Sequence, residues 1–300
     1  ARMSDTLIHA TIPGLDVRLL AGVTTGLVAE ACRRHGTSPT TSAALGRTLT
    51  GTLLLGMMQK DLERVTVQFS CDGPVGGIVA LADAAGGVRG YVRNPHAEAP
   101  ERNGKLNVAG VVGGGTMHVR REAGFEIGLM KEPYHGIVEI VSGEIAEDFA
   151  YYLSTSEQIP SATSLGVFVS LASREVIGAG GFMVQMMPGS TKALADELTA
   201  RIAAAPSVTD MVLQGATAIE LLRTALGERE VEVLETRNVR FECPCSRESV
   251  MRMLGSLEPA DLRQMIDDDR GEHVICHVCN EGYDVTVDEL RALLHSEPPA

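Results

Sequence analysis

Apolar and polar positions alternate along much of the first 188 residues, in runs cut by glycine-rich turns. "LIHATIPGLDVRLLAG" (7–22) and "RVTVQFSCDGPVGGIVALADAAGGVRGYVRN" (64–94) have the period of two and the β-branched content of hairpin strands. "TMHVRRE", "FEIGLM" (125–130), "GIVEIV", "GVFVSLA" and "GFMVQMM" are further expected strands. Two stretches are expected to be helices instead. Residues 39–58 are apolar on nearly every side and seamed by Gly46, Gly51 and Gly56, as a helix enclosed within a fold would be. "GEIAEDFAYYLSTSEQI" (143–159) places Ile145, Phe149 and Tyr152 on one face, with acids in its first turn suited to the helix dipole.

After Met187 the pattern turns helical. "TKALADELTARIAA" spaces Leu194, Leu198 and Ile202 four apart. "SVTDMVLQGATAIELLRTALGERE" (207–230) opens on the capping pair Ser207 and Asp210 and is expected to stop at Gly227. Such short helices with narrow apolar stripes are marginal alone, so they are expected to lie on the preceding domain. "EVEVLETRNVRFECPC" returns to strand. Two short helices ("SRESVMRML", "PADLRQMIDD"), a turn between strands ("HVICHVCNEGYDVTV") and a last helix ("DELRALLHS") follow. The expectation is an α+β protein in three parts. Residues 1–188 form a layered β-sheet core with a buried helix, 189–240 a helical linker packed on it, and 241–300 a small α+β domain.

Composition narrows the function. The formal charge is −13, and residues 241–300 hold 13 acidic against 5 basic side chains. A phosphate backbone or an anionic membrane would be met with the opposite balance. The opening "ARMSDTLIHATIPG" lacks a basic flank followed by an apolar run, and 41–58 is too polar to span a bilayer. A cytoplasmic location is therefore expected, where paired cysteines serve metals or redox chemistry rather than structural disulfides.

Four of the six cysteines form such pairs: Cys243 and Cys245 in "FECPCSRE", Cys276 and Cys279 in "VICHVCNE". C-x-C and C-x-x-C separated by thirty residues suit a closed, tetrahedral zinc site. Alternate strand residues face one side, so Cys243 and Cys245 can share an ion, and a tight turn brings Cys276 and Cys279 to complete it. His273 and His277 are possible substitutes. A sixty-residue segment has little core of its own, so its folding would rest on the metal, whose binding is worth about 10–16 kcal/mol in zinc-finger peptides.

Each pair is also close enough in sequence to form a disulfide. Across an extended C-x-C the α-carbons lie about 6.7 Å apart, near the limit of the usual ~4.4–6.8 Å for bridged cysteines, and Pro244 restricts relaxation. C-x-x-C closes with less strain. Oxidant is therefore expected to bridge Cys276 and Cys279 first, release the zinc, and bridge Cys243 and Cys245 afterwards. Loss of the metal would unfold the tail, loosen the linker and bare apolar surface able to hold other apolar chains. Met183, Met186, Met187 and Met211 would suit varied partners, although core packing is the expected role of each by itself.

The cysteine set, "GPVGG" (73–77), "RGYV" (89–92) and "GEIAEDFAYYLSTSEQIPSATSLGV" (143–167) together resemble the heat shock protein 33 family along nearly the whole chain. The resemblance implies a redox-regulated, ATP-independent chaperone, inactive while reduced and bound to one Zn2+ per chain through Cys243, Cys245, Cys276 and Cys279. It implies bridges Cys243–Cys245 and Cys276–Cys279 on oxidation, zinc loss, linker unfolding and homodimerisation. Unfolded clients would then be bound and later passed to the seventy-kilodalton chaperone system. Cys32 and Cys71 match no part of the motif and are expected to be core or bystander thiols.

Enzymatic readings find little support. No G-x-S-x-G or Walker motif is present, and "GVVGGGTMHV" (110–119) leads into strand pattern and reads as a turn. The dispersed His9, His96, His118 and His135 have no ligand spacing. The rivals left are a thioredoxin-like oxidoreductase, which needs Cys276-x-x-Cys279 at a helix N-terminus, and a zinc-ribbon adaptor that binds its partner with zinc in place.

Overall fold

Gly46 and Gly51 show why a helix can run through the middle of this protein. A Cβ on Gly46 would stand 2.5 Å from Val28 and 2.8 Å from Val167, and one on Gly51 would stand 2.5 Å from the Phe149 ring. The helix, α2 (Pro39–Gly56), is buried along nearly its whole length. Its hydroxyls are satisfied locally: Thr48 donates to Ala44 O, Thr52 to Thr48 O, and Thr50 pairs with Thr24 at 2.8 Å. A buried polar group without a partner would be costly, so these bonds make a threonine-rich core helix possible. The computed structural model describes residues 4–59, 63–123, 134–227, 229–267 and 271–295. The strand expected at 125–130 lies outside the described residues.

The chain divides into two units, one ending at Glu242 and one beginning at Cys243. The first is α+β. One sheet has five strands in the order β10 (Glu232–Asn238), β1 (Thr6–Thr11), β2 (Val17–Val23), β9 (Val176–Met186) and β8 (Ser161–Val169), all antiparallel. The other has six: β11 (Arg240–Phe241), β5 (Gly87–Val92), β4 (Ile78–Asp83), β3 (Glu63–Cys71), β6 (Gly115–Ala123) and β7 (Tyr134–Glu139). Helix α2 lies against β3, β4 and β5 of one sheet and β8 and β9 of the other.

The first sheet is apolar on both faces, as the period of two allows. Leu7, Leu20, Ala179 and Met183 join the core around α2. Ile8, Leu19, Ala21, Phe182, Val184 and Met186 form a second core on the far face. That face is covered by α5 (Lys192–Ala204), α6 (Val208–Leu213) and α7 (Ala218–Leu226), through Leu198, Met211, Leu221, Leu222 and Leu226. Ser207 caps α6 by accepting from Asp210 N–H, and Gly227 ends α7. The single helical run expected over 207–230 is two helices. Gly215 takes φ +87°, and Thr217 with Glu220 forms a capping box that starts the second helix.

Two further differences have local causes. Helix α4 spans Ala146–Thr155, beginning later than expected. The buried Asp148 carboxylate accepts N–H bonds from Val141, Ser142 and Ile145, which folds residues 141–145 into a loop around it. Ile145 is held there at φ +74°, a rare conformation for a β-branched residue. The sequence reading passed over α1 (Thr25–His35), which buries Leu27, Val28, Ala31 and Cys32 and stops at left-handed Gly36. It also passed over the five-residue α3 (Val108–Val112), which precedes the Gly113 turn into β6.

The second unit holds α8 (Arg247–Gly255), α9 (Pro259–Asp267), the hairpin β12 (Glu272–Ile275) and β13 (Gly282–Val285), and α10 (Val287–His295). Its buried apolar residues, Val250, Leu254, Leu262, Val285 and Leu290, make a small core.

Candidate metal centre

Cys243 and Cys245 lie in an extended segment leading into α8, whose first turn is capped by Ser246 accepting from Ser249 N–H. Cys276 and Cys279 lie in the turn joining β12 to β13. That turn is closed by Cys276 N–H to Glu281 O and Asn280 N–H to Cys276 O, both 2.8 Å, with Asn280 left-handed at φ +59°. The extended segment and the turn converge. Cys243 Sγ is 3.9 Å from Cys276 Sγ and Cys245 Sγ is 3.3 Å from Cys279 Sγ. All four sulfurs lie within 4.8 Å of one another, and all six cysteines are free thiols.

Four thiolates on a tetrahedron with metal–sulfur bonds of about 2.3 Å would stand about 3.8 Å apart. The observed spacings bracket that value, so the donor set fits one tetrahedral, thiolate-loving ion. Among the described residues it is the only group of three or more such donors within reach of one ion. His273 is turned elsewhere, its Nδ1 bonded to Asp284 Oδ1 at 2.6 Å, and His277 is outside the group.

The sulfurs differ chemically. Burial pushes the Cys243 thiol up to about 11 and drives Cys279 higher still. Burial raises Cys276 too, but hydrogen bonds from the Val278 and Cys279 amides and the neighbouring thiols outweigh it, leaving the group below the ordinary 9.0. The phenol of Tyr283, on β13, donates to Cys245 Sγ at 3.2 Å. The sequence reading missed Tyr283. Its signal was position, four residues beyond Cys279 in a strand that returns along the metal-binding turn.

The remaining cysteines stand apart from this group. Cys32 is buried on α1, its thiol raised by burial and set 3.8 Å from Ser42 O. Cys71, half-buried at the end of β3, is pushed up to about 11 by burial and then by Asp72. Of the methionines, Met186 and Met211 lie in the core under α5–α7, whereas Met183 faces α2 and is packed there. The C-x-x-C turn lies between two strands, not at the helix N-terminus that a thioredoxin-like site needs. Of the histidines, His118 and His135 are brought together on adjacent strands, 3.3 Å between ring nitrogens, with His135 at the surface and His118 also bonded to Thr116. Among the described residues no helix is long and apolar enough to cross a membrane.

Comparison with known proteins agrees along nearly the whole chain. A family model described as "Hsp33 protein" matches residues 5–286. The chain is 45% identical to the 33 kDa chaperonin of Shouchella clausii, over 97% of this chain and 98% of that protein. It is 44% identical to the 33 kDa chaperonin of Geobacter sulfurreducens, over 98% and 96%. The solved structure of the 33 kDa chaperonin (heat shock protein 33 homolog) of Thermotoga maritima superposes with a TM-score of 0.88 at 34% identity, covering 98% of each chain.

Proposed function

The chain belongs to the Hsp33 family, a family of chaperones, and from that premise we propose that it is a redox-regulated, ATP-independent holdase of the cytoplasm. The observation that carries this reading is the convergence of Cys243, Cys245, Cys276 and Cys279. In the reduced state these four thiolates hold one Zn2+, which supplies the second unit with folding free energy its small core lacks. Peroxide then accepts two electrons for each bridge formed. Two thiolates become one disulfide, and the oxidant leaves as water with two protons taken up. Bridging Cys276 to Cys279 removes half of the donors, and Cys243–Cys245 closes once the rest are free.

The segment 189–240 runs covalently into that unit, and we assign it as the linker that responds. Its helices cover Ile8, Leu19, Phe182, Val184 and Met186 of the first sheet. Helices of 13, 6 and 9 residues do not hold their shape alone in water. Their release bares a flat apolar platform of the kind that binds apolar segments of unfolding clients. The acidic charge of the chain opposes aggregation of the opened form. Homodimerisation of that form, and client transfer to the seventy-kilodalton chaperone system, complete the proposal.

The test is light scattering from a heat-aggregating client beside reduced and peroxide-treated protein, with zinc measured in both. Suppression by the oxidised, zinc-free sample alone is expected. Equal suppression by both would point to an adaptor that binds with its metal in place.

A further inference from the structure

His118 on β6 and His135 on β7 are far apart in sequence and adjacent in space. In the antiparallel register His118 stands opposite Ile137 and Arg120 opposite His135, so the two imidazoles are diagonal neighbours on one face of the six-stranded sheet. It is the outer face: Met117, Val119 and Val138, which alternate with them, are buried in the core around α2. His118 is half-buried and His135 exposed. Nδ1 of His118 lies 3.3 Å from Nε2 of His135, with the rings stacked at 5.4 Å between centroids. The other nitrogen of His118, Nε2, lies 2.9 Å from the Thr116 hydroxyl.

We propose that His118 and His135 form a second metal site, taking a divalent ion of the zinc type through His118 Nδ1 and His135 Nε2. Two imidazole nitrogens bound to one tetrahedral ion at about 2.0–2.1 Å stand about 3.3–3.4 Å apart, whereas right-angled ligation would bring them to about 2.9 Å. The observed spacing is the tetrahedral one. Thr116 supplies the outer contact that a metal-binding histidine needs. With Nε2–H donating to its hydroxyl oxygen, the Nδ1 lone pair is left facing His135. Burial, and then the neighbouring His135, hold His118 below its ordinary value of 6.5. The adjacent cation is already neutralised, since Arg120 pairs with Glu122 at 2.9 Å. Glu139, in register with Thr116, adds negative charge to the same face. Water completes the coordination, so the site is open and weaker than the four-thiolate one. Its donors are nitrogens, and peroxide that bridges the cysteines leaves them intact.

The experiment is calorimetric titration of Zn2+ into the full chain with its cysteine-bound zinc already in place, and again after peroxide treatment and removal of the released zinc by gel filtration with chelator. One further equivalent is expected in the wild type under both conditions. It should weaken at least tenfold in His118→Asn and in His135→Asn, and a few-fold in Thr116→Val. His135 is exposed, so its replacement should leave the fold intact, which circular dichroism of the variant checks. No further equivalent, equal affinity in the histidine variants, or loss of the equivalent on peroxide treatment would each overturn the assignment. The chaperone reading is untouched by any of these results, because the reduced arm probes this pair alone.

Discussion

Leu221 is the position at which the proposed switch can be set without touching a cysteine. It lies on α7, fully buried against the outer face of the first sheet. Leu→Ala at such a site costs about 2–5 kcal/mol, from lost transfer free energy and the cavity left behind. If α5–α7 open as a local unit, that loss falls on the opening equilibrium and shifts it roughly 30-fold to a few thousand-fold, at about 1.4 kcal/mol per tenfold. Little opposes it, since the ion pairs of this segment, such as Lys192–Asp196 and Arg201–Glu197, are exposed and screened by solvent. Reduced, zinc-loaded Leu221→Ala should therefore suppress client aggregation without oxidant, and amide exchange across α7 should accelerate by a similar factor. Leu213→Ala is the control, because Leu213 is 43% exposed in the same segment and its loss should change little. Faster exchange in α7 with no gain in client binding would refute the reasoning, because the uncovered face would then not be the client surface.

Four other outcomes follow from named contacts. Tyr283→Phe removes the hydrogen bond to Cys245, a type worth about 1.5–3 kcal/mol when one partner is charged, so peroxide should release zinc at least several-fold faster into a chromogenic chelator; an unchanged rate would mean the phenol is a bystander. Mass mapping after brief peroxide exposure should find Cys276–Cys279 bridged before Cys243–Cys245, and the reverse order would count against the strain argument. Asp148→Ala strands four N–H groups in the 141–145 loop, and a loss of about 3 kcal/mol should lower the melting temperature of the first unit by roughly 6–12 °C in calorimetry. His9 is held below its ordinary 6.5 by burial and then by Arg18, so the unfolded chain takes up this proton first; stability should fall as pH drops below 6.5 toward the folded value, and denaturant titrations of His9→Gln should show a shallower slope, with the share due to His118 retained.

The parts of this protein that its sequence reveals are those fixed by short-range pattern. The glycine-seamed helix, the hairpins and the caps at Ser207 and Gly227 follow from local chemistry. The four cysteines stood out because metal-ligand spacing repeats in sequence what the ion needs in space. What escaped depends on register or on a competing cue. The capping box at Thr217 and Glu220 was legible as the start of a new helix, but the apolar periodicity running through 207–226 masked it. Helix α1 has a mixed stripe that ends in Arg33, Arg34 and His35, and it is hidden between a strong strand signal and the glycine-seamed helix. No spacing rule pairs His118 with His135, because the antiparallel alignment of β6 and β7 alone makes them neighbours. The orientation of Met183 toward α2 is likewise a matter of strand parity that composition does not carry.

The helices over the first sheet are entered from β9 and left through β10, and both strands belong to that same sheet. Residues 187–231 are therefore a strap fastened at two ends, not a free tail. If they melt as proposed, they cannot drift off, and the cost of closing a loop rises only slowly with its length. The loosened strap would stay near the platform at high effective concentration and compete with whatever is bound there. On the proposed reading a guest would be held against a permanent internal competitor, and restoring the strap's fold would begin its eviction.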